Sequence, residues 1–361
     1  MKTIIAAYSK DHQGSRLSLQ SILHKISVAS ILPQQQLNKC MQLFSIVQWI
    51  FTFLIMGLLF LVLLAYLFFT SLWPVTALYV SWIALDWDTP EAGGRRSLWV
   101  RSWSVWNYFR DYFPIQLVKT HNLPPGRNYI IGSHPHGILC IGAFCNFVTE
   151  STGFSQKFPG IRPYLATLAG NFRLPVLREY MMSGGLCPVN KRAISYVLSQ
   201  RSRGNAVIIV VGGAAESLSC HPGVISVLLS RRRGFIRLAL EHGADLVPSF
   251  SFGENDLYQQ VQFSEGSFLR SVQCKFQKLF GFAPCFFYGR GLTSSQSKGF
   301  IPYSRPITTI LGEPITVPRI QDPSPKTVDQ YHQIYTHALL KLFHEHKTKY
   351  GLGENAELRI L

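Results

Sequence analysis

Acidic residues are scarce in this chain: 19 Asp and Glu face 35 Lys and Arg in 361 residues, a formal net charge of +16. That balance suits nucleic acid, anionic lipid headgroups or a phosphate-rich substrate. RNA-binding aromatic signatures, zinc-finger spacings and basic zippers are all missing, which sets nucleic acid aside. Cys-x-x-Cys pairs are missing too. The seven cysteines, Cys40, Cys140, Cys145, Cys187, Cys220, Cys274 and Cys285, are odd in number, which argues against a disulfide framework and for a reducing compartment.

Charge of either sign is absent from residues 43–85, "LFSIVQWIFTFLIMGLLFLVLLAYLFFTSLWPVTALYVSWIAL". Soluble domains rarely carry such a block. It breaks at Thr70–Pro74, where Pro74 can open a second helix with Ser71 as its N-cap. The first arm has ample length for a span, since about 20 residues suffice. The second is much shorter, so two topologies remain open: a pair of spans, or a re-entrant hairpin. Lys39 on one side and Arg95, Arg96 and Arg101 on the other place both flanks in the cytosol either way. The opening "MKTIIAAYSK" has too short an apolar run for a cleaved signal peptide, which leaves targeting to the hairpin. The expected organisation is therefore a cytosolic segment 1–42, a hydrophobic membrane hairpin 43–85 and a cytosolic domain 86–361.

Beyond residue 85 strand-like and helix-like pieces alternate, without repeats or low-complexity tracts. Strands are expected at 128–132, 206–211, 246–252 and 307–311, and helices at 193–200 and 234–242. Val328, Tyr331, Tyr335, Ala338 and Leu342 recur at helical spacing, giving one buried stripe on a helix that Ser324 and Pro325 start and Gly351 stops. This is an α/β domain.

Four motifs carry the chemistry. His134-Pro135-His136-Gly137 ends an expected strand, where α/β sheets collect catalytic groups. Val210-Val211-Gly212-Gly213-Ala214-Ala215-Glu216 is a second strand end with a glycine turn and a carboxylate. Together they offer a base and its orienting partner: a neutral imidazole takes a hydroxyl proton while Glu216 fixes its tautomer. Backbone N–H groups near Gly212 and Gly213, or His134, would hold an oxyanion, and Gly137 permits the tight exit. Arg231, Arg232, Arg233 and Arg237 suit a polyphosphate, or equally an anionic lipid face. Tyr112-Phe113-Pro114 follows the hairpin as an aromatic plug between membrane and domain.

Other chemistries lack their signatures. There is no His-Glu-x-x-His for a metal hydrolase, no Gly-x-Ser-x-Gly for a serine hydrolase, and no Walker or dinucleotide glycine pattern. What survives is histidine-assisted transfer to a hydroxyl at a membrane, from a phosphate-bearing donor, with no metal and no redox cofactor.

The stretches "YFP", "HPHG", "RPYLATLAGNFRLPVLREYMMSGG", "VVGGAAES", "RRRGFIRLALEHGADLVP", "FGEND" and "GEPI" resemble the diacylglycerol O-acyltransferase 2 family, from the hairpin to about residue 350. The resemblance implies transfer of a fatty acyl group from acyl-CoA, as co-substrate, to diacylglycerol, forming triacylglycerol in endoplasmic reticulum membrane and at the lipid-droplet surface. It also implies a domain similar to glycerolipid acyltransferases with a His-x-x-x-x-Asp dyad. Here Ile138 and Cys140 stand where either register would need the aspartate, and Glu216 is the expected replacement. His136 is expected to be the base, although exchanging its role with His134 is nearly as defensible. Phe60-Leu61-Val62-Leu63 meets the family's neutral-lipid pattern, which makes Phe60, Leu61 and Leu63 candidate lipid contacts. Acceptor choice stays open among diacylglycerol, monoacylglycerol, retinol and wax alcohol. A non-catalytic hairpin protein coating lipid droplets would need neither histidine nor Glu216. A homo-oligomer is compatible with the sequence, which fixes no oligomeric state.

Overall fold

The computed structural model describes residues 33–361 apart from Thr293 and Ser295, so the expectations for the opening decapeptide lie outside the described residues. Twelve strands occur in chain order: β1 Gln116–Lys119, β2 Tyr129–His134, β3 Arg162–Thr167, β4 Leu186–Pro188, β5 Asn205–Val210, β6 Ser226–Val227, β7 Asp245–Phe252, β8 Gln259–Gln260, β9 Phe287–Arg290, β10 Lys298–Gly299, β11 Thr308–Leu311 and β12 Arg359–Ile360. Seven of them form the main sheet, in the order β1-β11-β7-β2-β5-β3-β4. Neighbours run parallel except β11 against β7.

The centre of the sheet is built from near-continuous apolar runs, as strands covered on both faces require. All six residues of β2 are buried, and all eight of β7. Alternation sends Tyr129 and Ile131 into one core and Ile130 into the other. Helices cover both faces: α1 Pro33–Phe68, α2 Trp73–Leu85, α3 Val105–Tyr112, α4 Ile141–Val148, α5 Leu177–Gly184, α6 Lys191–Ser199, α7 Gly213–Ser217, α8 Gly234–His242, α9 Phe268–Phe280 and α10 Pro325–His346. The expected α/β architecture is the observed one.

The expected border between residues 42 and 43 falls inside a single helix, because α1 runs unbroken through it. Ile46, Trp49 and Ile50 of α1 are buried in the same core as Phe109 and Phe144. The Trp49 ring lies 5.3 Å from each of those two phenyl rings. A π-helical turn, Thr52–Met56, then marks where the helix leaves the domain. Beyond it most residues are exposed, including Leu61 and Leu63, with Phe60 half-exposed. α1 and α2 pack side by side, with the Thr76 hydroxyl donating to the Leu64 carbonyl at 3.3 Å. The cap differs: α2 begins at Trp73 with Leu72 as N-cap and no side-chain capping bond, so Ser71 does not cap it.

The stripe on α10 is also displaced. Val328, Tyr335 and Leu342 are buried, but His332 and Leu339 take the places expected for Tyr331 and Ala338. Ser324 caps the helix by accepting from the Thr327 N–H at 3.1 Å. The helix ends at His346 and Gly351 closes the turn beyond it at φ 86°.

Candidate active site

Three adjacent central strands, β5, β2 and β7, deliver their carboxyl ends to one place, the end of an α/β sheet where ligands bind. β2 ends in His134 and leads into His136, β5 leads into Glu216 and Ser217 on α7, and β7 leads into Glu254.

His134 is fully buried, with its Nε2 3.0 Å from the Tyr335 hydroxyl. Tyr335 donates in turn to the Gly132 carbonyl at 3.1 Å. The hydroxyl has one proton, so Nε2–H is the donor to it and Nδ1 carries the lone pair. That Nδ1 is buried without a partner among the described residues. Burial drives the imidazole down to about 3, so it is neutral.

His136 is half-buried. Its Nδ1 lies 2.8 Å from Ser217 Oγ and 3.1 Å from the Gly137 carbonyl oxygen. A carbonyl only accepts, which fixes Nδ1–H and leaves Nε2 as the basic nitrogen. Burial lowers the pKa of this ring, and the Gly137 carbonyl opposes that only in part. Cys140 Sγ sits 3.4 Å from both ring nitrogens. Burial holds its pKa well above the ordinary thiol value, followed by the charges of Glu254 and Glu216.

Glu216 does not orient the imidazole as expected. One carboxylate oxygen accepts the backbone N–H of His136 at 2.5 Å and the other accepts that of Leu228 at 2.6 Å. Ser217, the next residue, contacts the ring instead. Burial raises the Glu216 pKa against the pull of those two N–H groups and Arg232. A Cβ at Gly212 would lie 2.0 Å from the Glu216 carboxylate, so glycine is what lets it nest.

Glu254 is a second buried clamp that sequence reasoning missed. Its two oxygens accept the N–H groups of Ile141 and Gly142 at 2.7 and 2.8 Å, at the head of α4. Burial pushes its carboxyl up to about 7. Gly137, at φ 64°, makes room for it, since a Cβ there would meet Glu254 Cγ at 2.8 Å. The signal was available: an acid directly past the expected strand 246–252, inside "FGEND". Tyr335 was read as packing only, and Ser217 was overlooked beside Glu216.

The basic motif lies apart in its bonding. Arg232 donates to the Gly212 carbonyl at 2.9 Å, Arg233 is paired with Asp329, and Arg237 donates to the Pro323 carbonyl at 3.0 Å with Asp322 at 3.8 Å. Three of the four arginines are thus engaged by the protein itself, which weakens the phosphate assignment made from their clustering. Tyr112 and Phe113 are buried in the core that Trp49 of α1 shares, and the Tyr112 hydroxyl donates to the Pro302 carbonyl at 2.7 Å. Pro114 follows at φ 26°. Among the described residues no cluster of histidine, cysteine and carboxylate could hold a metal ion.

The fold and site define an α/β protein that gathers two histidines at the carboxyl edge of its central sheet. Residues 65–361 match the diacylglycerol acyltransferase family, and the chain belongs to that family. It is 59% identical to diacylglycerol O-acyltransferase 2 of Bos taurus and 54% identical to that of Homo sapiens, each across 100% of both chains. It is 51% identical to diacylglycerol O-acyltransferase 2-like protein 6 of Bos taurus, over 92% of this chain and 100% of that one. Among solved structures, the 1-acyl-sn-glycerophosphate acyltransferase PlsC of Thermotoga maritima aligns over 86% of this chain and 98% of its own, at 12% identity and a TM-score of 0.37. A score that low adds nothing to the fold described above.

Proposed function

We propose that this enzyme transfers a fatty acyl group from acyl-CoA to the free hydroxyl of a diacylglycerol, giving triacylglycerol and free coenzyme A. The observation that carries the reading is His136, a half-buried neutral imidazole whose Nε2 is left basic by the contacts of Nδ1. Nε2 takes the hydroxyl proton as the oxygen attacks the thioester carbonyl. The carbonyl electrons move to oxygen, near the N–H groups of Gly212 and Gly213, and return as the carbon–sulfur bond breaks. The departing thiolate takes the proton back from the imidazolium, so the histidine ends neutral. Cys140 stays a thiol and forms no acyl intermediate. His134 is the supporting residue, locked to Tyr335.

The site faces a membrane in this reading. α1 is long and apolar enough to cross one by length and composition, and the basic flanks favour the cytosolic face of the endoplasmic reticulum and the lipid-droplet surface. The protein reconstituted in vesicles with acyl-CoA and a panel of diacylglycerol, monoacylglycerol, retinol and fatty alcohol tests the assignment. Diacylglycerol is expected to give the highest kcat/KM. Preference for another alcohol would move the substrate within the family, and no acyl-CoA consumption with any of them would overturn the enzyme reading.

A further inference from the structure

We propose that the groove between α1 and the segment running from β9 to β11 is a phosphate-binding site, with Lys39, Arg290 and Arg305 as its cations. The groove measures about 720 Å³, and Tyr112 and Tyr303 line it with those three residues. No carboxylate lines it. None of the three cations is ion-paired among the described residues, in contrast to Arg233 with Asp329 and Arg237 with Asp322.

Arg290 is the fixed point. Its Nε donates to the Tyr112 hydroxyl at 2.9 Å, and Tyr112 is itself pinned to Pro302. Nη2 has no hydrogen-bond partner among the described residues, so half of a planar fork is offered to the groove. Lys39 and Arg305 are exposed and arrive from two other segments, α1 and the loop before β11. Converging cations without acids suit the doubly charged and bridging oxygens of phosphate esters better than a single carboxylate. Tyr303 and Arg305 also line an adjoining hollow of about 280 Å³, which Pro222 and Asp256 complete. Asp256 belongs to the same short helix as Glu254, the clamp beside Gly137. The groove therefore leads toward the catalytic edge of the sheet.

Two ligands carry this chemistry: the pyrophosphate and 3′-phosphate of a coenzyme A thioester, or the phosphate of an anionic lipid beside α1. The first rests on the acyl-transfer reading given above; the second does not. Lys39→Gln/Arg305→Gln in the full chain tests both, since neither side chain is buried. Titration with free coenzyme A reads the first arm, and binding to phosphatidylcholine vesicles with and without phosphatidate reads the second. We expect coenzyme A affinity to fall about tenfold, with KM for acyl-CoA rising in parallel and kcat little changed. Lys39→Arg/Arg305→Lys should restore both.

Loss confined to phosphatidate vesicles would keep the phosphate site and assign it to lipid. If neither arm moves, the groove holds no phosphate; if Arg231→Gln weakens coenzyme A while the double variant does not, the donor site belongs at the start of α8. Binding is read without turnover. A wild-type protein that binds coenzyme A but makes no triacylglycerol would thus sink the acyl-transfer reading and leave the groove standing.

Discussion

At the scale of single residues, the site is two histidines whose rings are held in different ways, each by neutral groups. His136 meets solvent and its ring contacts Ser217, whereas His134 is sealed and bonded to Tyr335. Replacing His136 by alanine should lower turnover by about 10²–10⁴-fold, the usual range for a removed general base, with the thermal midpoint close to wild type. Collapse in His134→Ala alone, with His136→Ala active, would exchange their roles. Because burial depresses the His136 pKa below the ordinary 6.5, its basic form persists as pH falls through that value. The acid limb of kcat/KM should accordingly lie below pH 6.5.

Glu216 leads to a different expectation. Its carboxylate binds backbone rather than imidazole, and a glutamine there keeps one accepting oxygen but turns an N–H₂ donor toward the second backbone N–H. Glu216→Gln should reduce turnover by loosening the His136 turn, while the acid limb stays where it is. A limb moved to lower pH in that variant would restore the imidazole–carboxylate pair that the geometry replaces. Part of this site was legible: His136, Gly212 and Glu216 do meet, and His134 lies two residues before His136, facing Tyr335. Periodicity located the strand ends that bring them together. Which atom a carboxylate reaches depends on turn geometry a few residues long, and no spacing rule reports it.

At the scale of elements, the hairpin is tied down at its base by charge. Asp86, just past α2, is buried and paired with Arg178 of α5 at 2.9 Å and with Arg95. Burial opposes its ionisation, yet hydrogen bonds from Arg95, Thr89 and Arg178 hold the carboxyl at about 2 against an ordinary 3.8. A lowered carboxyl pKa stabilises the fold fully above 3.8, and that contribution is lost as pH falls toward 2. Asp86→Ala takes one of two carboxylates from the buried Arg178 guanidinium and leaves Glu179 at 2.8 Å, so it should cost less than the roughly 3–5 kcal/mol of a fully unpaired buried charge. Thermal unfolding in detergent at neutral pH should show the drop. An unchanged midpoint would mean the base of α2 is held by its apolar contacts alone. The second arm was visible in the sequence through Pro74, but its anchoring was not, because Asp86 and Arg178 are brought together only by the fold.

At the scale of the whole molecule, the distribution of buried residues along α1 decides how deep the protein can sit. α1 enters the core only between Ser45 and the π-helical turn, with Trp49 among its fully buried side chains. The part that projects beyond that turn, Gly57–Phe68, has 12 residues and reaches about 18 Å at 1.5 Å per residue. A hydrocarbon core is about 30 Å thick. α2 comes back toward the domain even sooner, where the Tyr79 hydroxyl donates to Glu179 at 3.1 Å and accepts the Val176 N–H at 2.8 Å. With the sheet domain outside the hydrocarbon, a reach of about 18 Å falls short of a full span, which argues for the re-entrant alternative of the two the sequence left open.

Cys40, exposed and on the domain side of α1, then serves as an internal reference. In sealed vesicles a membrane-impermeant maleimide should label Cys40 from the side that carries the domain. A thiol added at the hairpin tip by Ser71→Cys should gain no label from either side until detergent opens the bilayer. An extra label when the reagent reaches only the opposite side would show that the hairpin crosses. Both arms would then be full spans, and the domain would have to sink by about 12 Å at α1 to let them.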